Sequence, residues 1–542
     1  MKNIIRTIAI LFVVGFSIVS CESFLEENPQ GRISQDTFFK SENDLKLGVI
    51  GLYDILNNAS MYGFNIGIVG ELGTDTYTTS SNNTLFEPLD NYTLTDTYSG
   101  TEEIWEASYR GIARINFYIN GVETSELVTE DVENTYLAEA YTLRALLYFN
   151  LVRFFGDVPL TIKPAEGLSE VFIRNPKEDV YGQIVKDLIF AKEHLPVQLD
   201  LIGRATKGAA HGLLTKVYLT MAGAPLNKGS EYYQLALSEA DEFIALSEAG
   251  DYPYQLLSSY KKVFAEDNEN NAEIIFDAQA VSGPLEGNRW GKWGGYQGNA
   301  TQRESIDDAA FGNPKVMVSF YKSYANEDET RLRWNVTDSM YRGNGTFGTF
   351  GRNNVHLYTA AKFRPDPNSF TINGGTYTAN ETPRNIPILR YDDILLMAAE
   401  AENEVNGPTA KALGYLNQVR NRVKITEYDG TNFVALYPSW QAADAGINLN
   451  DPKDRFREVL FWERGWELCY EGHRRNDLVR WNRLVPTVRN VIQPDHEATN
   501  NGLNANLKVV SHLNIQDFHV LLPIPAEEIG VFNNDFEQNP GY

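Results

Sequence analysis

Eight stretches of this chain carry apolar residues at the spacing that gives a helix one buried face. They run over about 101–120, 135–155, 178–195, 206–223, 231–248, 388–405, 408–423 and 453–472. In the first, Ile104, Trp105, Ser108, Ile112, Ile115 and Ile119 share a face, which makes Trp105 a core residue. In the second, Leu137, Ala140, Leu143, Leu147, Leu151 and Phe154 do the same.

Six of these runs pair along the chain: 135–155 with 178–195, 206–223 with 231–248, and 388–405 with 408–423. Each pair has alanines where two helices can approach, such as Ala140, Ala145, Ala209, Ala210, Ala236, Ala240, Ala398, Ala401 and Ala412. Small-against-large packing of this kind stacks antiparallel helices into a tetratricopeptide-like superhelix. Over 249–387, and again over 60–100, helical period gives way to Gly, Asn, Thr, Ser and aromatic residues. These segments are expected to be long ordered loops with short strands, and loops of that length usually serve function. The predicted fold is mainly α, a helix-pair superhelix with a loop-rich lobe.

The N-terminus has a different logic. Lys2 and Arg6 precede an apolar core from Ile8 to Val19, which is short for a membrane span. The segment closes with Ile18, Val19, Ser20 and Cys21, a pattern like a bacterial lipobox. Cys21 is then the residue to be acylated, since two or three chains anchor stably where one does not. An ordinary signal peptide with an incidental cysteine is the alternative. Glu22, Glu26 and Glu27 follow at once. No later apolar run is long enough to span a bilayer, so the body is expected to be soluble and to lie outside the cytoplasm.

The net charge of −25 argues against nucleic acid and anionic lipid surfaces as partners. Two cysteines cannot build a disulfide framework, and Cys469 falls within a helical pattern, where it reads as a small buried hydrophobe.

Three ordered segments carry a family resemblance. They are AEAYTLRALLYFNLVRFFGDVPL (138–160), ERGWELCYEGHRRNDLVRW (463–481) and the terminal LLPIPAEEIGVFNNDFEQNPGY (521–542). With the lipobox and GELGTDTY (70–77), the chain resembles the SusD/RagB surface lipoproteins from end to end. The resemblance implies a leader over 1–20, an N-terminal region over 21–270 and a C-terminal region over 271–542, forming one unit. It also implies a non-catalytic glycan-binding protein, and a SusC-like TonB-dependent outer-membrane barrel over which it closes as a lid. Some relatives bind peptides, so an oligopeptide ligand stays open.

These segments also have a reading of their own. Glu463, Glu467 and Glu471 recur every fourth residue beside Arg464, Arg474, Arg475 and Arg480, which suggests a partly buried ionic lattice around a turn at Gly472. A helix ends at Gly156. The terminal segment cannot be helical through Pro523 and Pro525, so it is expected to run extended and pin the C-terminus.

A glycan site needs flat aromatic faces beside short polar groups. The best local match is GNRWGKWGGYQGN (287–299), with Arg289, Trp290, Trp293, Tyr296, Gln297 and Asn299 in a glycine-rich loop. The second is the 62–98 loop, with Tyr62, Phe64, Asn65, Asp75, Tyr77 and Tyr98, although packing roles compete there. Trp334 and Tyr358 are weaker candidates. Metalloprotease, nucleophile-elbow and P-loop patterns are absent, and no cofactor is implied. Gly343, Gly345 and Gly348 lack the flanking strand and helix of a dinucleotide fingerprint and read as a turn. His512 and His519 lie in a stretch that reads as strand and are not expected to bind metal. A surface glycoside hydrolase is the rival from another class, since acidic residues are plentiful.

Overall fold

The computed structural model describes residues 39–79, 84–164, 173–280, 315–324, 327–337, 339–341, 347–349, 355, 358–363, 384–432, 447–491, 509–531 and 536–542. A helix occupies each of the eight predicted stretches. The helices that bear on the site are α1 (Glu42–Leu52), α2 (Asn65–Glu71), α3 (Ser99–Glu123), α4 (Glu130–Phe155), α5 (Lys177–His194), α6 (Lys207–Ala222), α7 (Ser230–Ala249), α8 (Glu329–Asn335), α9 (Tyr391–Asn406), α10 (Ala410–Arg422), α11 (Pro452–Leu468) and α12 (Arg474–Arg480).

The apolar stripes bury as their spacing requires. Ile104, Trp105, Ile112, Ile115 and Ile119 of α3 are all in the core, as are Leu137, Leu143, Leu147, Leu151 and Phe154 of α4. Trp105 meets Phe155 edge to face at 5.1 Å. Acidic residues fill the first turn of α4 and Arg153 the last, matching the helix dipole. Thr206 and Thr409 cap α6 and α10 by accepting from the N–H groups of Ala209 and Ala412.

Neighbouring helices pack in series: α3 on α4, α4 on α5, α5 on α6, α6 on α7, α7 on α9, and α9 on α10. The three predicted pairs therefore form, and they join one array although residues 250–390 separate α7 from α9. Helices from both sides of residue 270 contribute to it.

The inserted lobe holds short strands. β1 (Tyr77–Thr78), β3 (Lys315–Val316), β5 (Thr359–Ala360) and β4 (Val336–Thr337) form an antiparallel sheet in that order. β2 (Ile274–Ala278) pairs with β6 (Ile386–Arg390), with Ile274 opposite Arg390 and Ala278 opposite Ile386. β6 runs straight into α9, so the helix expected from 388 starts three residues later. A small second core of Tyr260, Val263, Phe264, Phe363, Val423 and Ile425 lies under this lobe.

Three local expectations need correction. α2 lies within 60–100, which reads as loop; all seven of its residues are buried, so no polar face gives it a period. His512 and His519 sit in single helical turns, Ser511–Asn514 and Asp517–Val520, not in a strand. The terminal segment runs extended only to Pro525 before a short helix, Ala526–Val531. It does pin the C-terminus: Leu522 N–H donates to the Phe154 carbonyl, and Asn539 Nδ2 donates to the carbonyls of Phe155 and Leu522.

Candidate functional site

One side chain ties α2 to the start of α3. Asn65 Nδ2 donates to Glu103 Oε2 at 2.8 Å and approaches the Gly100 carbonyl at 3.5 Å. Beside this contact opens a cleft of about 160 Å³, lined by Phe64, Asn65, Leu85, Phe86, Tyr98 and Glu103 among others. Tyr98 lies directly against Gly100: a Cβ there would sit 2.7 Å from the ring. Phe64 and Phe86 are tilted against each other at 5.8 Å. Phe64 and Tyr98 are half-buried, Glu103 is exposed, and Leu85 at the mouth is 47% exposed.

Burial, and then the Glu103 charge, push the Tyr98 hydroxyl above its ordinary pKa, so it stays a neutral donor and acceptor. The cleft thus offers ring faces to C–H surfaces, and an amide, a carboxylate and a phenol to hydroxyl groups. Its volume is below that of a pocket enclosing a whole drug-sized molecule. It suits one ring-sized unit of a longer ligand that continues outside. Glu103 is the one carboxylate among its described lining residues. Glycoside hydrolysis by the usual route needs two.

The sequence candidates separate sharply. Phe64, Asn65 and Tyr98 come together in the cleft. Asp75 and Tyr77, read as ligand contacts, do not: Asp75 is sealed under α12, gripped at both oxygens by Arg474 at 2.7 and 2.6 Å. Tyr77 is fully buried, its ring 5.0 Å from Tyr470. Both lie in a stretch, 71–79, in which every residue is buried. Tyr62 is likewise buried, accepting from Asn150 Nδ2 at 3.0 Å. Trp334 packs on the small second core, and Tyr358 is in the main one. Arg289, Trp290, Trp293, Tyr296 and Asn299 lie outside the described residues, as does Cys21. Glu103 escapes a sequence search because its partner Asn65 is 38 residues away. Its place on the polar side of α3 was the available signal.

The lattice around 463–481 is the strongest charge cluster among the described residues. Glu463, Glu467 and Glu471 of α11 and its following turn, with Glu273, Asp328 and Asp392, are all buried. They meet Arg331, Lys362, Arg390, Arg420 and Arg422, which are buried too. Arg390 grips Glu471 with Nε and Nη2, each at 2.8 Å. Six carboxyls thus face five cations. Burial raises the Asp392 pKa well above the carboxylate range against the opposing pull of Arg390, with Glu467 and Glu273 adding to the rise. A neutral Asp392 leaves the lattice balanced. These acidic groups face buried arginines and Lys362 inside the molecule. Cys469 is buried beside Tyr324 and Trp466, as a small hydrophobe would be. Gly472 makes the turn at φ +82°, where α2 presses against it.

Comparison with known proteins bears on the fold as a whole. Residues 296–542 fit the model of the SusD family, and residues 23–219 fit one described as starch-binding, associating with outer membrane. A SusD-like protein of Formosa agariphila is 30% identical over 558 residues, covering 97% of each chain. A SusD homologue from Bacteroides thetaiotaomicron has a similar structure, with a TM-score of 0.79 at 26% identity, covering 94% of this chain and 99% of that one. A laminarin-binding SusD-like protein gives a TM-score of 0.70 at 24% identity, over 93% of this chain and 100% of its own. No helix among the described residues is long and apolar enough to cross a membrane. With its helix-pair array and its terminal motifs matched along nearly the whole length, the chain belongs to the SusD/RagB family.

Proposed function

We propose that this protein sits on the outer-membrane surface by an acylated Cys21, captures oligo- or polysaccharide, and delivers it to a partner TonB-dependent transporter of the SusC kind. The observation that carries this reading is the cleft between α2 and α3. There Tyr98 and Phe64 offer half-buried ring faces beside the Asn65–Glu103 pair, a combination that suits a sugar ring with its apolar face and its hydroxyl rim. Relatives described as starch-binding and laminarin-binding support a carbohydrate ligand. Arg289, Trp290, Trp293, Tyr296 and Asn299 are further proposed ligand contacts, on their sequence pattern alone. The net charge of −25 favours a neutral ligand over an anionic one.

Affinity gels containing neutral polysaccharides test this directly. Retention of the purified chain is expected with at least one glycan. Tyr98→Ala, and the triple change Trp290→Ala, Trp293→Ala and Tyr296→Ala, should each reduce it. Retention untouched by both sets would remove the site. Binding to oligopeptides with no glycan retained would overturn the ligand class, and release of reducing ends would overturn the non-catalytic reading.

A further inference from the structure

Away from the cleft, α5, α6 and α7 bring a histidine, two carboxylates and a lysine together. His211 of α6 is fully buried, against the Phe243 ring at 5.3 Å. Glu239 and Glu242 are three residues apart on α7 and so share the face that meets it. His211 Nε2 is 3.0 Å from Glu239 Oε2 and 3.8 Å from Glu242 Oε2, yet it has no partner in hydrogen-bond alignment. Its other nitrogen, Nδ1, is 3.2 Å from Tyr252 Oη. Two tautomers are open to the imidazole: Nε2–H facing Glu239, or, as a metal ligand requires, Nδ1–H donating to that hydroxyl with the Nε2 lone pair turned toward the two carboxylates. In the second form three electron-rich atoms are aimed at one notch and repel unless a cation lies among them.

Part of that cation is built in. Lys192 Nζ of α5 is 2.7 Å from Glu239 Oε2 and 2.6 Å from Glu242 Oε2. One ammonium against two carboxylates still leaves the notch with a net negative charge. We propose that it is a site for a zinc-type divalent cation, ligated by His211 Nε2, Glu239 and Glu242.

The spacing fits. Ligand bonds of about 2.0–2.2 Å in a tetrahedron place neighbouring donor atoms about 3.4 Å apart, and the two observed separations, 3.0 and 3.8 Å, bracket that value. A dication neutralises both carboxylates, and Lys192, 19% exposed on a flexible stem, swings out to solvent. Tyr252 fixes the imidazole from behind, as outer partners of metal-bound histidines do. Glu242 is 52% exposed, so the fourth position opens to water on its side. The bound ion ties α6 to α7 in the middle of the helix array.

Calorimetric titration of the EDTA-stripped chain with Zn²⁺ tests the site, with Co²⁺ as a visible-absorption probe of tetrahedral geometry. One equivalent of uptake is expected. His211→Gln and Glu242→Gln should each weaken it at least about tenfold, while Lys192→Met should tighten it by removing the competing ammonium. Glu242 is exposed enough that its variant keeps the fold even if the His211 variant does not. No uptake by either wild type or Lys192→Met overturns the proposal. Uptake indifferent to all three substitutions overturns it too.

Discussion

Glu467 and Glu103 are the same side chain in two surroundings. Glu467 is fully buried; burial alone would raise its pKa, but Arg422, Arg331 and Arg390 overcome that and hold it well below the ordinary carboxylate range. Its bonding capacity is used up inside the molecule. Glu103 sits at a cleft mouth with one amide on one oxygen and solvent around the rest. Both are acidic residues on helices beside aromatic rings. Only the second is left with a valence to offer, and that open valence, rather than the density of charged residues, marks a binding site.

The comparison breaks hardest where one lattice partner is deleted. Arg390→Ala should leave Glu471 buried without its main cation and Glu273 with Arg422 alone, costing about 3–5 kcal/mol. Urea unfolding should show that loss as a large fall in the midpoint. A small change would mean that the lattice is loosely held and that its carboxylates are less committed than their geometry indicates.

A pH series sharpens the contrast within the buried acids. Burial lifts Glu71 to about 7 despite accepting the N–H groups of Gly472, His473 and Arg474, and lifts Asp90 to about 7 as well. Folding therefore favours their neutral forms. The stabilisation from Glu71 is full below its ordinary value of 4.5 and disappears as pH rises to about 7, a change of about 3 kcal/mol. Asp477 runs the other way. Arg464 and Arg480 outweigh its burial and hold it at about 2, so its contribution is present above 3.8 and is lost as pH falls toward 2. Glu71→Gln should lessen the fall in stability between pH 4.5 and 7, with Asp90 supplying what remains, and leave the acid limb in place. An unchanged profile would remove Glu71 from the account.

Much of this arrangement was legible in the residues. Amphipathic period located eight helices and three pairs, and the four-residue spacing of Glu463, Glu467 and Glu471 announced an ionic lattice. The spacing could not name Arg331, Arg390, Arg420 and Arg422 as partners, because α8, β6 and α10 reach α11 only through the fold. Asp75 looked like a ligand group because it is a short polar residue in a Thr-rich turn; its actual partner, Arg474, is 399 residues away. Tyr77 looked displayed for the same local reason. Phe64, Asn65 and Tyr98 were visible as candidates, but their meeting depends on a wholly buried α2 that leaves no periodic trace. α1 did leave one, in Leu45, Val49 and Leu52 behind the cap at Ser41, although Gly48 and Gly51 weaken the pattern.

On the cleft side the expected effects are smaller and concern binding. Tyr98→Ala removes a ring face and should weaken glycan binding about tenfold, near 1.4 kcal/mol, with little change in the unfolding midpoint. Glu103→Gln keeps the bond from Asn65 and should lower affinity less. Equal losses of stability and affinity in the Tyr98 variant would make that ring a packing element and not a contact.

The smallest effect is expected where lattice chemistry recurs at the surface. Arg110 and Glu106 form an i,i+4 pair on α3 at 3.0 Å, with both side chains largely in solvent. Their attraction is screened by water and salt, and holding two long side chains together costs rotamer freedom. Arg110→Ala should therefore move the unfolding free energy by less than about 0.5 kcal/mol, against several for Arg390→Ala. Raising the salt concentration should erase even that difference while leaving the Arg390 loss in place. If both variants proved equally costly, burial would not be what separates the committed carboxylates from the available one.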